Sequence, residues 1–154
     1  MLITELGLSD LEKHSDILYL LLKDVYTTNF DVSDELLSSV LSEKLAQMKT
    51  FVEQGKAFII SAFESNDLVA FIWIYIHSVF DEERMHINQI AVNSRFRHRG
   101  IARRLVQEAE KKAKLMGLHS IDLWVSEKNQ DALNLYFGMN FSTERRYLKK
   151  IFTQ

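Results

Sequence analysis

Positions 92 to 104 read Val-Asn-Ser-Arg-Phe-Arg-His-Arg-Gly-Ile-Ala-Arg-Arg, and five arginines fall between Arg95 and Arg104, around Gly100. A run of β-forming residues precedes this segment and a 3.6-residue apolar period follows it, so the chain leaves a strand and enters a helix at Gly100. An anion docks well at such a junction. The first N–H groups of a helix have no intrahelical partner and carry the positive end of its dipole, so a phosphate there accepts several backbone hydrogen bonds. Gly100 has no Cβ and Ala102 only a methyl, which lets phosphate oxygens approach the backbone. The arginines add charge-assisted hydrogen bonds. Two other readings share these residues: a plain strand-to-helix turn with solvated arginines, and a nucleic-acid patch. The single aromatic of the run, Phe96, and a net charge of -2 weigh against the second.

The elements that must hold this junction follow from period and punctuation. Residues 2–6 alternate as a short strand, and Ser9 with Glu12 reads as a capping box opening a helix over 10–26. Ser33 caps a second helix over 34–54, which Gly55 terminates. Residues 57–63 and 68–79, rich in Ile, Val, Phe, Trp and Tyr, flank Ser65-Asn66-Asp67 as a hairpin. Asp81-Glu82-Glu83 reads as a second turn before a strand from Met85 to Val92. Ile101, Leu105, Val106, Ala109, Ala113 and Met116 share one helical face, and Gly117 stands where the helix stops. Ile121, Leu123 and Val125 alternate as a strand, Asn129 to Phe137 reads as a short helix, and Phe141 to Phe152 as a final strand. The expected fold is α+β, in the order βααβββαβαβ, with a mixed, mostly antiparallel sheet carrying helices on both faces.

A length of 154 residues with 47% hydrophobic and 26% charged residues fits one domain over 1–154 and excludes a disordered or fibrous chain. The absence of cysteine excludes disulfides, thiolate metal ligands and a cysteine nucleophile. The N-terminus builds no apolar core of a signal peptide, and the run from Leu68 to Ile76 falls well short of a span of roughly 20 residues. A soluble, cytoplasmic protein is expected, with no membrane or nucleic-acid partner.

Arg97-x-x-Gly100-x-Ala102 resembles the Arg/Gln-x-x-Gly-x-Gly/Ala signature of the GNAT superfamily of N-acetyltransferases, and the element order is similar to its fold. Asn129-x-x-Ala132-x-x-x-Tyr136, followed by Phe141, resembles a second motif of that family. The resemblance implies an acetyl-CoA-dependent N-acetyltransferase acting on a primary amine of a small molecule or peptide. It assigns the pyrophosphate to backbone amides of Arg97, His98, Arg99, Gly100, Ile101 and Ala102, and the pantetheine arm to Ile90, Ala91, Val92 and Asn129. It places Tyr136 near the thioester sulfur. No metal is implied, and a homodimer is compatible with it. Ser94, Asn140 and Ala70 depart from the family's usual proline and glycines; Asn140 keeps the turn because Asn tolerates φ > 0.

Acetyl transfer to an amine needs a neutral amine, a stabilised oxyanion and a proton for the departing thiolate. Tyr136 is the candidate acid, being protonated at pH 7. A backbone N–H near Ala91 or Val92 is the candidate oxyanion donor. The base is less marked: Met85-His86-Ile87-Asn88-Gln89 offers no glutamate, and His86 is the group that accepts a proton near neutrality. Glu64, Asp81, Glu82 and Glu83 are candidates to attract a cationic acceptor. Phe63, Phe71, Trp73, Tyr75 and Trp124 serve either an acceptor cleft or the core. The missing glutamate leaves a second class of function open, a non-catalytic CoA-binding sensor or interaction module.

Overall fold

The computed structural model describes residues 1–153. Its elements are β1 (Leu2–Leu6), α1 (Leu8–Lys13), α2 (Ser15–Asn29), α3 (Asp34–Glu53), β2 (Ala57–Glu64), β3 (Asp67–Val79), β4 (Glu82–Val92), α4 (Ile101–Leu115), β5 (Ile121–Leu123) and α5 (Gln130–Phe137). The strands form one sheet in the order β1-β2-β3-β4-β5, antiparallel from β1 to β4 and parallel between β4 and β5. The expected α+β class and mixed sheet are what the chain forms.

Alternation along β3 divides the interior. Phe71 and Trp73 join Leu11, Leu18, Leu22 and Leu41 of α1 to α3 on one face. Ile72 and Ile74 join Ile101, Leu105, Val106 and Ala109 of α4 on the other. Each large apolar side chain so buried contributes about 1.5 to 3 kcal/mol, and the two layers together pin β3 and β4, the strands nearest the Arg-rich junction. Among the described residues no helix is long and apolar enough to cross a membrane.

Ser33 accepts the Leu36 N–H at 3.4 Å and opens α3 as expected. Four expectations change. The first helix is two helices, broken at His14, and begins earlier. The Gly7 N–H donates to Asp10 Oδ2 at 3.1 Å, so Gly7 and Asp10 cap α1, not Ser9 and Glu12. The second hairpin turns at Phe80 and Asp81, with φ of 49° and 65°, and Glu82 and Glu83 lie within β4. The final strand expected over 141–152 does not pair, and residues 142–153 form no regular element and are exposed.

Positive φ at both central residues is the backbone of a type I′ turn, which suits the twist of the flanking strands. Phe80 adopts it although it is bulky and 94% exposed, so its ring gains little packing while its backbone is strained. Phe80→Asn is expected to stabilise the fold by about 1 kcal/mol, or roughly 2 to 4 °C in Tm. Calorimetry checks it: an unchanged or lower Tm means the ring offsets the strain through its contact with Arg145, whose guanidinium lies 5.7 Å from the ring centre.

Candidate active site

The site begins where the sheet forks. Pairing between β4 and β5 covers Met85 to Ile87 against Ile121 to Leu123, yet β4 runs on to Val92. A bulge facing Trp73 and Ile74 leaves Asn88 without a partner on β3. Further on, the Asn93 N–H donates to the Val69 carbonyl at 2.8 Å. Because N–H groups alternate along a strand, those of Ile90 and Val92 point away from β3, into the gap. Of the two expected oxyanion donors, Val92 therefore has its N–H on the open side and Ala91 has it turned to β3.

The Arg-rich junction closes one end of this gap. The Asn93 side chain accepts the Arg95 N–H at 3.0 Å and starts a single 3-10 turn over Ser94–Phe96. His98 and Gly100 then take left-handed φ of 60° and 77°. Among the described residues, the N–H groups of His98 through Arg103 meet no hydrogen-bond acceptor, and the ladder of α4 begins with Arg104 donating to the Gly100 carbonyl at 3.1 Å. A Cβ on Gly100 would meet no atom within 4 Å. The glycine is thus required by its φ, and the space before it is free for a ligand. Arg97 is committed to the protein: Nε donates to the Val92 carbonyl at 3.1 Å, and the guanidinium pairs with Asp24 of α2. The Arg99 guanidinium stacks over Phe96 at 5.1 Å.

Helix α5 flanks the far side. Asn129 Oδ1 accepts the Ala132 N–H and Nδ2 donates to Asn29 Oδ1 of α2, each at 3.1 Å. A cleft of about 320 Å³ lies there, lined by Thr28, Asn29, Lys128, Asn129, Gln130 and Asp131. Tyr136, one helical stretch further, is 5% exposed and packs edge-on against Phe141 at 5.3 Å. Burial pushes its phenol well above the ordinary range, so it keeps its proton at any physiological pH. Asn140 takes φ of 67°, the turn expected of it.

His86 lies on the opposite face of the sheet, paired in register with Tyr75 of β3 and Asp122 of β5. Its Nδ1 donates to Asp122 Oδ1 at 2.7 Å, while His77 Nε2 donates to the same carboxylate at 2.8 Å. A carboxylate only accepts, so this bond fixes the proton of neutral His86 on Nδ1 and leaves Nε2 with a lone pair. Burial lowers the His86 pKa and the Asp122 charge partly restores it. Asp122 and His77 are the partners that sequence reasoning missed; the one signal was a single acid within Ile121-Asp122-Leu123. The other candidates divide. Phe71 and Trp73 are core, Phe63 and Tyr75 are half-buried, and Trp124, just past the fork, is 69% exposed. Glu82 accepts from Arg84 and from Ser120 and closes the sheet's end, away from the junction.

Residues 18–141 match the family model described as the Acetyltransferase (GNAT) family, and the chain belongs to that family. Sequence comparison with curated proteins returns no significant match. Among solved structures, an aminoglycoside acetyltransferase from an uncultured soil metagenomic sample, bound to sisomicin, is 17% identical with a TM-score of 0.73, covering 99% of this chain and 95% of that one. A GCN5-related N-acetyltransferase from Ralstonia eutropha is 19% identical with a TM-score of 0.79 over 97% of both chains. Glucosamine-6-phosphate N-acetyltransferase from Arabidopsis thaliana is 20% identical with a TM-score of 0.66, covering 99% and 98%. At these identities the likeness is one of fold.

The geometry at His86 makes a prediction independent of turnover. Its folded pKa lies below the ordinary 6.5, so acidification below pH 6.5 protonates the unfolded chain first and the associated stability is lost down to the folded pKa. Asp122→Asn removes the charge that raises this pKa, so the titration moves lower still. Histidine-resolved NMR titration checks both; a His86 midpoint at or above 6.5 contradicts the arrangement.

Proposed function

We propose that this chain is an acetyl-CoA-dependent N-acetyltransferase, a single domain over 1–154, that acetylates a primary amine of a small molecule or peptide by direct attack in a ternary complex. One observation carries the reading: among the described residues, the six successive backbone N–H groups of His98 to Arg103 have no acceptor, in the loop that follows the stretch of β4 unpaired with β5. The amides of His98 to Arg103 would hold the pyrophosphate, aided by the α4 dipole and by Arg99 and Arg103. Arg97, held by Val92 and Asp24, supports the loop. Ile90, Val92 and Asn129 would line the pantetheine arm. Acetyl-CoA supplies the thioester.

The chain's groups supply the rest. The Val92 N–H is aimed into the gap, where negative charge develops on the carbonyl oxygen. His86 Nε2, held neutral by burial and oriented by Asp122, accepts the amine's proton directly or through water. Tyr136 donates to the departing sulfur from the α4 face. Acid and base thus approach from opposite faces of the sheet, and the fork is the opening between them. The His86–Asp122 pair weakens the case for a merely CoA-binding module, which rested on the missing glutamate. The structural relatives named for aminoglycosides and a sugar phosphate support an amine acceptor as a class; the acceptor itself is a question for a screen of amines and peptides by thiol release.

If acetyl-CoA binds only the native state, an excess of 100-fold over Kd stabilises by about 2.7 kcal/mol, or roughly 5 to 11 °C in Tm. Gly100→Val places a branched side chain at the mouth of the cradle and is expected to abolish that shift. An undiminished shift in the folded variant excludes the cradle.

With no cysteine to form an acetyl-enzyme, initial-rate lines at several acceptor concentrations are expected to intersect. Tyr136→Phe keeps the ring and removes the proton, so kcat is expected to fall by about 10² to 10⁴ with acetyl-CoA affinity nearly intact. Single-turnover transfer within about twofold of the parent would make Tyr136 structural.

A further inference from the structure

Three adjacent strands set metal-type donors side by side. His77 lies on β3, His86 on β4 and Asp122 on β5; His86 stands opposite both Tyr75 and Asp122, and Tyr75 and His77 share a face, so all three donors lie on one face of the sheet. Among the described residues this is the one group of three such side chains, with a donor atom from each within 4.8 Å of the others. The two imidazole rings are 4.7 Å apart, centre to centre. His77 Nε2 donates to both Asp122 oxygens, at 2.8 and 2.9 Å, and His86 Nδ1 donates to Oδ1 at 2.7 Å. One carboxylate oxygen thus draws both rings together. Two imidazoles and a carboxylate form the donor set of a borderline divalent ion such as Zn²⁺, unlike the all-oxygen sets that hold Mg²⁺ or Ca²⁺. Tetrahedral ligands at about 2.0 to 2.1 Å from zinc stand about 3.3 Å apart, so each nitrogen needs to draw back from the carboxylate by only about half an ångström. The surrounding charge favours a cation. Arg84 lies 3.6 Å from Asp122 but is also paired with Glu82 and Glu144, and three carboxylates against one guanidinium leave two negative charges. The side chains of His77 and Asp122 are 28% and 23% exposed, which gives an ion a way in and leaves the fourth position to water.

We propose that His77, His86 and Asp122 form a binding site for Zn²⁺, with His77 Nε2, His86 Nδ1 and an Asp122 oxygen as ligands and water as the fourth, and that occupancy switches the tautomer of His86. The metal takes the Nδ1 lone pair, so the neutral ring carries its proton on Nε2 instead. Nε2 then donates and no longer accepts. His77 changes in the mirror sense, its proton passing from Nε2 to Nδ1, so two neutral rings release no net proton. The site stands apart from the acetyl-transfer reading. Its consequence, that zinc silences the base that takes the amine's proton, rests on that reading.

Isothermal titration of the full, tag-free chain with zinc chloride is expected to give one site per chain, with Kd in the micromolar range or below. Co²⁺ is expected to show the visible absorption of a four-coordinate ion, which Zn²⁺ abolishes and Mg²⁺ does not. His77→Gln is expected to weaken zinc binding about 100-fold or more with unchanged circular dichroism, since losing even an outer partner of a ligand costs about 10- to 100-fold. Asp122→Asn is expected to do the same. In histidine-resolved ¹⁵N NMR, saturating zinc is expected to move the His86 proton from Nδ1 to Nε2. A parent without a stoichiometric zinc site overturns the proposal. So does zinc binding that survives either substitution in a folded variant, or that leaves the His86 proton on Nδ1. Zinc that fills the site and switches the tautomer, yet leaves acetyl transfer to an amine undiminished, overturns His86 as the base and not the site.

Discussion

The rest of the site depends on one interrupted ladder. Strand β4 is paired on both sides from Met85 to Ile87 and, past the bulged Asn88, on one side only from Gln89 to Val92. A strand edge inside a protein must find partners for its N–H and C=O groups or face solvent. Here the edge faces a gap whose borders are the α4 junction, the start of α5 and the end of α2. The bulge at Asn88 sits at the same point, and bulges bend a strand and alter which groups it presents. The two hydrophobic layers keep β3 and β4 rigid up to the edge of the fork, so the open stretch is held by the same core that stabilises the fold.

Burial acts in opposite senses on the two titratable groups beside this gap. It disfavours the charged form of each, which raises a phenol and lowers an imidazole. Tyr136 is left with its proton and His86 without one, the protonation states suited to a donor and an acceptor at neutral pH. The positive charge at the junction is similarly local. The whole chain is slightly acidic, while the loop amides and the positive end of the α4 dipole coincide at Gly100.

Much of this was legible because single residues encode it. Gly100, Gly117 and Asn140 stand at left-handed φ, where glycine and asparagine are favoured, and Ser33 caps α3 through its own hydroxyl. The 3.6-residue period of α4 located the junction within a residue. What pairs across the sheet was not legible. The Asp122 contacts to His86 and His77 join residues 36 and 45 positions apart, through a parallel register that no local pattern reports. The break at His14 and the turn at Phe80 were hidden for a different reason: His14 leaves helical geometry at φ -103° and ψ 14°, and Phe80 takes a left-handed φ of 49°, which no preference of those residues announces. The stretch after Phe141 has a strand's composition, but composition says that a segment suits a sheet and not which edge it meets.

The hydrogen bond between Asn129 and Asn29 spans the cleft from α5 to α2. A guest carrying amide groups that enters there would replace one neutral amide contact with another, so the number of hydrogen bonds stays nearly constant throughout. Such a clasp costs little affinity to open, because an amide-bearing guest restores what it breaks. It does discriminate. A guest without amides would leave only Asn129 Nδ2 and Asn29 Oδ1 without this partner, since Asn129 Oδ1 keeps the Ala132 N–H and Asn29 Nδ2 keeps the Val25 carbonyl. On the acetyl-transfer reading proposed above, the clasp would favour an amide-bearing arm over one without amides.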